Sequence, residues 1–407
     1  MAWEKVKLGD IAIVTSSKRF HLSERSDSGV PFYCSKQIIQ KVRGELVSDY
    51  DYIREEFYEN VKKQYGVPEP GDLLITTRGS YGVPYIYKDN DKFYFADGNL
   101  TWLKDFKENI DVRFLYYWIC SYEGQKKIDA IAKGTAQKAV TIDGIKNLEI
   151  SVPSFKTQKR IADILSAYDN LIENNQKQIK LLEEAAQRLY KQWFIDLRFP
   201  GHETTKIVDG LPEGWSITKI QDVCDNIGAG GTPSRSQKAF WQDGNIDWFK
   251  TQELCDCWLF ESSEKISEEG LKRSAAKMFP ANSILMAIYA SPTLGRLGIL
   301  TKEACSNQAA LCLQVDESKV SNYWLYLKLF ELRDQFNSIA RGAGQQNISG
   351  IIVKETEIAL PAISVINDFT RLVRPFFEKQ RTLQLQNISL TQTCDRLLPK
   401  LMNGELV

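Results

Sequence analysis

Two long stretches of the chain repeat apolar side chains at alternating steps of four and three residues. The first runs from Ile161 to Trp193 and the second from Phe369 to Leu401. A helix that packs on its own domain needs a wider apolar stripe, and a two-in-seven seam is typical of helices that pair in a coiled coil. We therefore expect two long paired helices, although packing of each helix on its own domain remains the alternative. The seam positions are Ile161, Leu165, Tyr168, Ile172, Asn175, Ile179 and Leu182 in the first helix and Phe369, Val373, Phe376, Leu383, Asn387, Leu390, Leu397 and Leu401 in the second.

A proline interrupts the second of these helical patterns. Pro375 lies inside the repeat that begins at Phe369. Because proline removes a backbone donor and clashes with the preceding turn, we expect it to kink the helix or to delay its first turns.

The chain repeats itself at an offset of 208 residues. The segment from Gly134 to Pro153 matches the segment from Gly342 to Pro361, and each carries a Gly-x-x-Gln motif followed by Ile or Val and a closing proline. The seams of the two helices keep the same offset. Several matches in the same order indicate a tandem duplication with diverged loops. Short alternating segments between the helices, such as residues 310–315, predict mixed strands and helices, and hence an α/β (α+β) fold.

Composition leaves the partner open. Lys plus Arg and Asp plus Glu both total 52, so the formal net charge is zero, whereas non-specific nucleic-acid binders are usually basic. The charged start of the chain does not suit a signal peptide, and no apolar run is long enough to cross a bilayer. Eight scattered cysteines fit free thiols in a reducing compartment. We expect a cytoplasmic protein.

The motifs of the obvious catalytic classes are missing from the sequence. It has no Asn/Asp-Pro-Pro-aromatic loop for DNA methylation and no Gly-Lys-Ser/Thr phosphate loop. Only two histidines, His21 and His202, are present, and no cluster has zinc-ligand spacing. The glycine-rich segment 228–232 lacks the lysine of a phosphate cradle, and we interpret it as a flexible loop. We expect a non-catalytic chain that binds no metal or cofactor itself.

The whole plan resembles the specificity subunits of type I restriction–modification systems. The features that carry the resemblance are the Leu211–Trp215 domain opening, the two Gly-x-x-Gln segments, the helix start Gln158–Leu165 and the terminal Leu397–Gly404. The second helix departs from the pattern, because Ile366 stands where the first helix has Gln158. This departure weakens any claim that both helices make equal contacts.

The resemblance implies a division of the chain into two target-recognition domains, residues 1–154 and 210–362. Spacer helices would follow at 155–198 and 363–407, with a linker at 199–209. Each domain would read one half of a split, asymmetric double-stranded DNA sequence, and the helices would dock two methyltransferase subunits. Those subunits would supply S-adenosylmethionine, and restriction–translocase subunits that use ATP and Mg²⁺ would join for cleavage. At 1.5 Å per residue the first seam spans roughly 48 Å, more than one turn of B-DNA, which would leave unread bases between the half-sites.

Polar, basic and aromatic residues in the diverged loops are the candidate DNA contacts, because base edges and phosphates are recognised by such side chains. They are Lys18, Arg19, Arg78, Ser80, Tyr81, Gln137 and Lys138 in the first domain and Thr232, Ser234, Arg235, Lys238, Lys250, Gln252, Ser291, Arg296, Gln345, Gln346 and Asn347 in the second. Two other interpretations stay open: a coiled-coil adaptor that binds only protein, and an enzyme with a divergent site.

The resemblance also sets the direction of the two helices. Domains at opposite ends of the spacer require helices that run antiparallel, forming an antiparallel coiled coil with an internal pseudo-twofold repeat. End-to-end pairing then places Ile161 against Leu401 and Trp193 against Phe369. On this register Asn175 faces Asn387 in one polar layer, a known device for fixing register. Gln380 would lie near the helix edge, within reach of water.

Overall fold

The computed structural model describes residues 3–21, 24–134, 138–289, 293–342 and 347–406. The chain divides into two compact units. Unit 1 comprises Met1–Asn174 and Asn387–Val407, and unit 2 comprises Asn175–Gln386. The division falls within two long helices, so each unit contains one part of each helix. Among the described residues, no helix combines the length and the apolar character needed to cross a membrane.

Unit 1 contains small sheets covered by short helices. Its sheets have the strand orders β2-β9-β6-β7, β3-β5-β4-β8 and β1-β10. The strands are β1 (Glu4–Lys7), β2 (Ile13–Thr15), β3 (Arg25–Ser26), β4 (Val30–Tyr33), β5 (Asp51–Ile53), β6 (Leu73–Thr76), β7 (Pro84–Ile86), β8 (Tyr94–Phe95), β9 (Leu100–Lys104) and β10 (Glu149–Val152). The short helices are α1 (Leu8–Ile11), α2 (Ser35–Val42), α3 (Glu55–Tyr65), α4 (Val112–Cys120), α5 (Tyr122–Ile131) and α6 (Ile142–Lys146).

Unit 2 is built in the same style around a five-stranded sheet. Its sheets have the orders β14-β21-β18-β19-β16, β17-β15-β20, β13-β22 and β11-β12. The strands are β11 (Ile207–Val208), β12 (Leu211–Pro212), β13 (Ser216–Lys219), β14 (Cys224–Ala229), β15 (Ile246–Phe249), β16 (Cys257–Leu259), β17 (Lys265–Ile266), β18 (Ile284–Ala287), β19 (Leu297–Leu300), β20 (Cys305–Ser306), β21 (Ala310–Val315) and β22 (Glu357–Leu360). The short helices are α8 (Glu268–Lys272), α9 (Asn322–Glu331), α10 (Arg333–Gly342) and α11 (Gly350–Glu355).

The internal repeat of the sequence is a repeat of topology. In unit 1 the first strand pairs antiparallel with the strand before the long helix, with Glu4 opposite Val152. In unit 2 the same pairing sets Ser216 opposite Leu360. The sheet orders β2-β9-β6 and β14-β21-β18 also correspond. In each, the central strand comes later in the sequence than the two strands that flank it. The predicted fold class, two related domains of mixed strands and helices with long helices, is confirmed.

The two long helices are α7 (Phe155–Tyr190), of 36 residues, and α12 (Ile363–Met402), of 40 residues. A π-helical turn, Lys191–Ile195, ends the first. The second begins at Ile363 and continues through Pro375, so the expected delay of its first turns is wrong. Pro375 is exposed, while Val373 and Phe377 beside it are buried. Burial of these neighbours holds the helix across the one missing donor, since tertiary packing outweighs local propensity.

Opposite ends of the two helices pack together inside each unit. In unit 1, Ile161 and Leu165 near the start of α7 share a core with Leu401 and Met402 at the end of α12. In unit 2, Trp193, just after α7, lies against Phe369 near the start of α12, with ring centroids 5.7 Å apart. The helices are therefore antiparallel.

Burial along the long helices follows the seam in part, since Ala162, Ile366 and Phe377, which lie off the seam, are also buried. Seven of the predicted seam positions are buried, and eight are half-buried. Four leucines off the seam are 49–64% exposed: Leu171, Leu181, Leu372 and Leu385. Gln380 is only 5% exposed, so its expected position at a wet helix edge is wrong. The buried positions are Ile161, Leu165, Asn175, Phe369, Val373, Leu383 and Leu401, and the half-buried ones are Tyr168, Ile172, Ile179, Leu182, Phe376, Asn387, Leu390 and Leu397. The pairing of Asn175 with Asn387 stays a prediction, because the two residues belong to different units.

The glycine-rich segment 228–232 is a packed part of unit 2, and its interpretation as a flexible loop is wrong. Gly228 lies in β14, and the N–H of Gly231 donates to the carbonyl of Ser306 at 2.9 Å. A Cβ on Gly230 would lie 2.1 Å from that same carbonyl oxygen, and one on Gly231 would lie 2.1 Å from the carbonyl oxygen of Ala275. The glycines are needed because neighbouring backbone approaches too closely for any side chain.

Candidate nucleic-acid interface

The candidate residues of unit 1 gather at one edge of its first sheet. Strands β2 and β6 both pair antiparallel with β9, with Thr15 opposite Trp102 and Thr76 opposite Leu100. The two strands therefore run in the same direction, and their carboxyl ends meet at the same edge. Lys18 and Arg19 follow β2, and Arg78 and Ser80 follow β6; all four are exposed. We call this edge the recognition edge of unit 1.

The segment that contains Ala139 and Val140, distant in sequence, is joined to this edge by backbone hydrogen bonds. The N–H of Val140 donates to the carbonyl of Thr77 at 2.9 Å, and Ala139 forms a bridge with Arg78. Ala139 also exchanges two 2.9 Å bonds with Lys133. Lys133 and Lys138 are exposed beside Arg78. Three cations from two distant segments thus share one small surface.

Two further features complete the edge in unit 1. The turn 96–99 lies against it, since the N–H of Thr77 donates to the carbonyl of Asn99 at 2.8 Å. Tyr81 is half-buried, and its hydroxyl bonds to Asp129, which raises the pKa of the tyrosine. Because that hydroxyl already has an acceptor, Tyr81 is a weaker candidate for a DNA contact than Arg78 or Ser80.

Unit 2 repeats the same construction. Strands β14 and β18 both pair antiparallel with β21, with Ala229 opposite Leu311 and Ala287 opposite Ala310. Their carboxyl ends therefore form a recognition edge of unit 2. The N–H of Ile348 donates to the carbonyl of Ile288 at 2.9 Å, the counterpart of the bond between Val140 and Thr77. The bridge between Tyr289 and Asn347 corresponds to that between Arg78 and Ala139.

Two of the four candidate cations of unit 2, Arg235 and Lys250, are held by one carboxylate. Arg235 makes two hydrogen bonds to Glu264, of 2.6 and 3.0 Å, and its guanidinium lies 3.6 Å from the ring centroid of Trp241. Lys250 contacts the same carboxylate at 2.9 Å. The bonds from Arg235 and Lys250 lower the pKa of Glu264 to about 2. Two positive charges and one negative charge therefore form a fixed network on unit 2.

The remaining candidates have varied positions. Thr232 bonds to Gln308, Ser234 to Ser236, and the carbonyl of Arg296 accepts from the N–H of Ala287 at 2.9 Å. These contacts place Thr232 and Arg296 at the recognition edge, while Lys238 lies in a 3₁₀ turn of the loop after β14. Gln252 is exposed after β15 in a different sheet. Gln137, Ser291, Gln345 and Gln346 lie outside the described residues.

Sequence reasoning missed three polar residues that the structure places beside the candidates. Lys133 is bonded to Ala139, which forms the bridge with Arg78. The side chain of Gln308 accepts a hydrogen bond from the hydroxyl of Thr232. Lys104 and Lys18 line the same pocket. The turn 307–310 that carries Gln308 corresponds in structure to the turn 96–99 of unit 1, each with a hydrogen bond from the N–H of its last residue to the carbonyl of its first, but the two turns share no sequence motif. No sequence signal joins Lys18 to Lys104. Within the described ranges, no group of three or more metal-ligating side chains comes together.

The duplicated edges, each made of a sheet edge and a distant loop, define a protein built from two structurally related modules. A family model, the type I restriction modification DNA specificity domain, matches residues 2–184 and again 212–367. The chain belongs to this family.

Known proteins similar to this chain agree with that assignment. The type I restriction enzyme MjaIX specificity subunit of Methanocaldococcus jannaschii is 26% identical, over 99% of this chain and 93% of its own length. The HindI specificity subunit of Haemophilus influenzae is 25% identical, over 83% and 86%. The crystal structure of an S subunit from M. genitalium has a TM-score of 0.63 at 16% identity, covering 98% of this chain and 96% of that one, which shows a shared fold.

Proposed function

We propose that this chain reads a bipartite, asymmetric DNA target with one unit per half-site. The observation that carries the proposal is the repetition of the recognition edge, with the Val140–Thr77 bond in unit 1 and the Ile348–Ile288 bond in unit 2. The same backbone frame presents different side chains in each unit, Arg78 and Lys138 in one and Tyr289 and Asn347 in the other. Different donors and acceptors select different bases. The two half-sites should therefore differ.

The chain itself supplies recognition and assembly in this proposal, and its partners supply the chemistry. Two methyltransferase subunits would bring S-adenosylmethionine, and restriction subunits would bring ATP and Mg²⁺. Exposed apolar side chains off the helix seam, among them Leu181, Leu372 and Leu385 in unit 2, offer a docking surface for such partners. The predicted division into domains 1–154 and 210–362, with spacer helices between and after them, is part of this proposal.

An exchange of one domain tests independent reading. Residues 210–362 would be replaced by the matching segment of a related subunit, and the chimaera would be expressed with its methyltransferase subunit. Methylome sequencing should then show one changed half-site and one unchanged half-site. A change in both halves, or in neither, would contradict reading by two independent units. Binding of duplex DNA by the assembled complex is a separate test. An adaptor that binds only protein would add no DNA binding to the complex, whereas a DNA-recognition subunit would.

A second experiment tests where the chemistry resides. The purified chain, incubated with duplex DNA and S-adenosylmethionine, should transfer no methyl groups, and transfer should begin when the methyltransferase subunit is added. Methylation by the chain alone would instead favour an enzyme with a divergent site.

A further inference from the structure

A small pocket opens beside β2, the outer strand of the first sheet of unit 1. Its volume is about 190 Å³. Strand β2 forms one wall, the end of α3 at Tyr65 and Gly66 forms another, and Trp102 of β9 lies between them. Lys18 and Lys104 are both among the residues that line it. The recognition edge begins at Lys18, so the pocket is continuous with that edge.

Aromatic rings hold both lysines in place. The Lys18 ammonium lies 4.2 Å from the centroid of the Tyr65 ring, and that of Lys104 lies 4.5 Å from the centroid of the Trp102 ring. A ring face attracts a cation through its quadrupole but carries no net charge. The two ammonium groups are therefore oriented without being neutralised by the groups that orient them.

Asp72, an acid whose pKa is affected by the charge of Lys104, is engaged by other groups. The carboxylate of Asp72 accepts from the indole N–H of Trp102 at 2.7 Å and from the backbone N–H of Glu69 at 2.9 Å. Burial raises the pKa of Asp72, and the charge of Lys104 acts against that shift. In the described part of the chain, neither Lys18 nor Lys104 makes an ion pair within 4.0 Å. In unit 2, by contrast, Arg235 and Lys250 both form ion pairs with Glu264.

We propose that Lys18 and Lys104 bind a phosphate of the DNA backbone at this pocket. The inference rests on the proposed function and adds to it the anchor of unit 1. Two oriented ammonium groups, neither in an ion pair within 4.0 Å, suit a phosphodiester, which carries one negative charge and several acceptor oxygens. Tyr65, a residue that is 51% exposed, flanks the anion and keeps Lys18 directed toward it. Such a contact fixes position on DNA and carries no sequence information.

The dependence of DNA affinity on salt concentration tests the site. The full chain would be titrated against mixed-sequence duplex DNA by fluorescence anisotropy at several KCl concentrations. Each phosphate contact contributes about 0.9 to the slope of log affinity against log salt. The double variant Lys18→Ala/Lys104→Ala removes the contact to one phosphate and should therefore lower that slope by about 0.9, equally for all sequences. Lys18→Arg/Lys104→Arg, which keeps the charges, should retain most of the slope.

A matched control removes two lysines that already have acidic partners. Lys36 pairs with Asp49, and Lys92 pairs with Glu55, both on the surface of unit 1. Lys36→Ala/Lys92→Ala changes the net charge equally but should leave the slope near that of the wild type. An equal change in the salt slope of both double variants would overturn the assignment of a phosphate site to Lys18 and Lys104. Absence of DNA binding by the wild-type chain, alone and with its methyltransferase subunit, would instead overturn the proposed function.

Chemical footprinting distinguishes DNA from free phosphate. Lysines would be acetylated with and without duplex DNA, and modification would be read by mass spectrometry on the full chain. We expect DNA to protect Lys18 and Lys104 and to leave Lys36 and Lys92 reactive. Equal protection by inorganic phosphate at the same phosphate concentration would overturn the assignment to the DNA backbone, and so would failure of DNA to protect either lysine.

Discussion

The ring of Trp193 lies 5.7 Å from that of Phe369, which joins the end of the first long helix to the start of the second within unit 2. Phe369 is fully buried and also contacts the rings of Phe194 and Tyr190, at 4.8 and 6.0 Å. Phe369→Ala should therefore cost about 3–5 kcal/mol of stability, through lost contacts and a residual cavity. Urea denaturation followed by circular dichroism measures the change.

Leu372, on the same helix and 49% exposed, is the matched control for this substitution. Leu372→Ala should change the stability by about 0.5 kcal/mol or less, as is usual for surface positions. Similar losses for Phe369→Ala and Leu372→Ala would show that the aromatic contact does not hold the helix ends together.

The packed glycines of unit 2 give a second prediction. Gly231→Ala should destabilise unit 2 by about 3 kcal/mol or more, because its Cβ would lie 2.1 Å from the carbonyl oxygen of Ala275. Gly228 has no neighbour within 4 Å of a built Cβ, so Gly228→Ala should be neutral or slightly stabilising. Thermal unfolding of both variants checks the difference. If Gly231→Ala has the same melting temperature as the wild type, the backbone of Gly231 does not lie as close to that of Ala275 as described.

The carboxylate of Glu264 should restrain non-specific DNA binding by unit 2. Glu264→Gln keeps the shape of the side chain but releases the charges of Arg235 and Lys250. Mixed-sequence DNA should then bind more tightly, and the slope of log affinity against log salt should become steeper by up to about 1.8. Anisotropy titrations at several salt concentrations measure both quantities.

The exposed Glu268, which pairs with Lys272 on α8, provides the control for that experiment. Glu268→Gln alters the net charge by the same amount and should change the salt slope less than Glu264→Gln. Equal slopes would mean that only net charge matters and that the position of Glu264 has no special effect.

Stability should fall as pH rises from about 4.5 to about 7 because of Glu183. Burial, with a smaller contribution from Asp256, raises the pKa of Glu183 from 4.5 to about 7. Arg333 already pairs with Asp256, and Glu184 adds to the shift while Lys180 opposes it. Between pH 4.5 and 7 the folded chain binds a proton that the unfolded chain has released. The resulting stabilisation is present at low pH and is lost above 7, by about 1–3 kcal/mol.

Glu183→Gln removes this titration. Urea denaturation at pH values from 4.5 to 8.5 should show a flatter pH profile for Glu183→Gln than for the wild type, with greater stability than the wild type at pH 8.5. Glu378→Gln, at an exposed position of α12, should keep the wild-type profile. A wild-type profile in Glu183→Gln would mean that another group titrates in this range.

Patterns that repeat along the chain could be predicted from the sequence, because period and offset are properties of sequence positions alone. The seams from Ile161 and from Phe369 indicated both long helices, and the offset of 208 residues indicated the duplicated topology. Strands as short as Arg25–Ser26 carry no detectable alternation. Continuation of α12 through Pro375 depends on tertiary packing that local propensity does not express.

The candidate site was only partly predictable for a similar reason. Arg78 and Lys138 could be selected by residue type, but their approach depends on the bond between Thr77 and Val140, which are distant along the chain. The network that holds Arg235 requires Glu264, and no motif connects the two residues. The crowding at Gly230 and Gly231 depends on where Ser306 and Ala275 lie in the fold, so glycine content alone suggested flexibility where the structure is tight.

The bonds that fasten each distant loop to its sheet edge join backbone N–H to backbone carbonyl, at Val140–Thr77 and at Ile348–Ile288. Such bonds place no demand on the side chains of the residues around them. Arg78 and Ala139 in one unit, and Tyr289 and Asn347 in the other, occupy corresponding positions with unrelated chemistry. New side chains can therefore be tried at these positions by mutation while the frame is inherited unchanged. Selection for a new DNA sequence can act on the surface without first having to rebuild the fold.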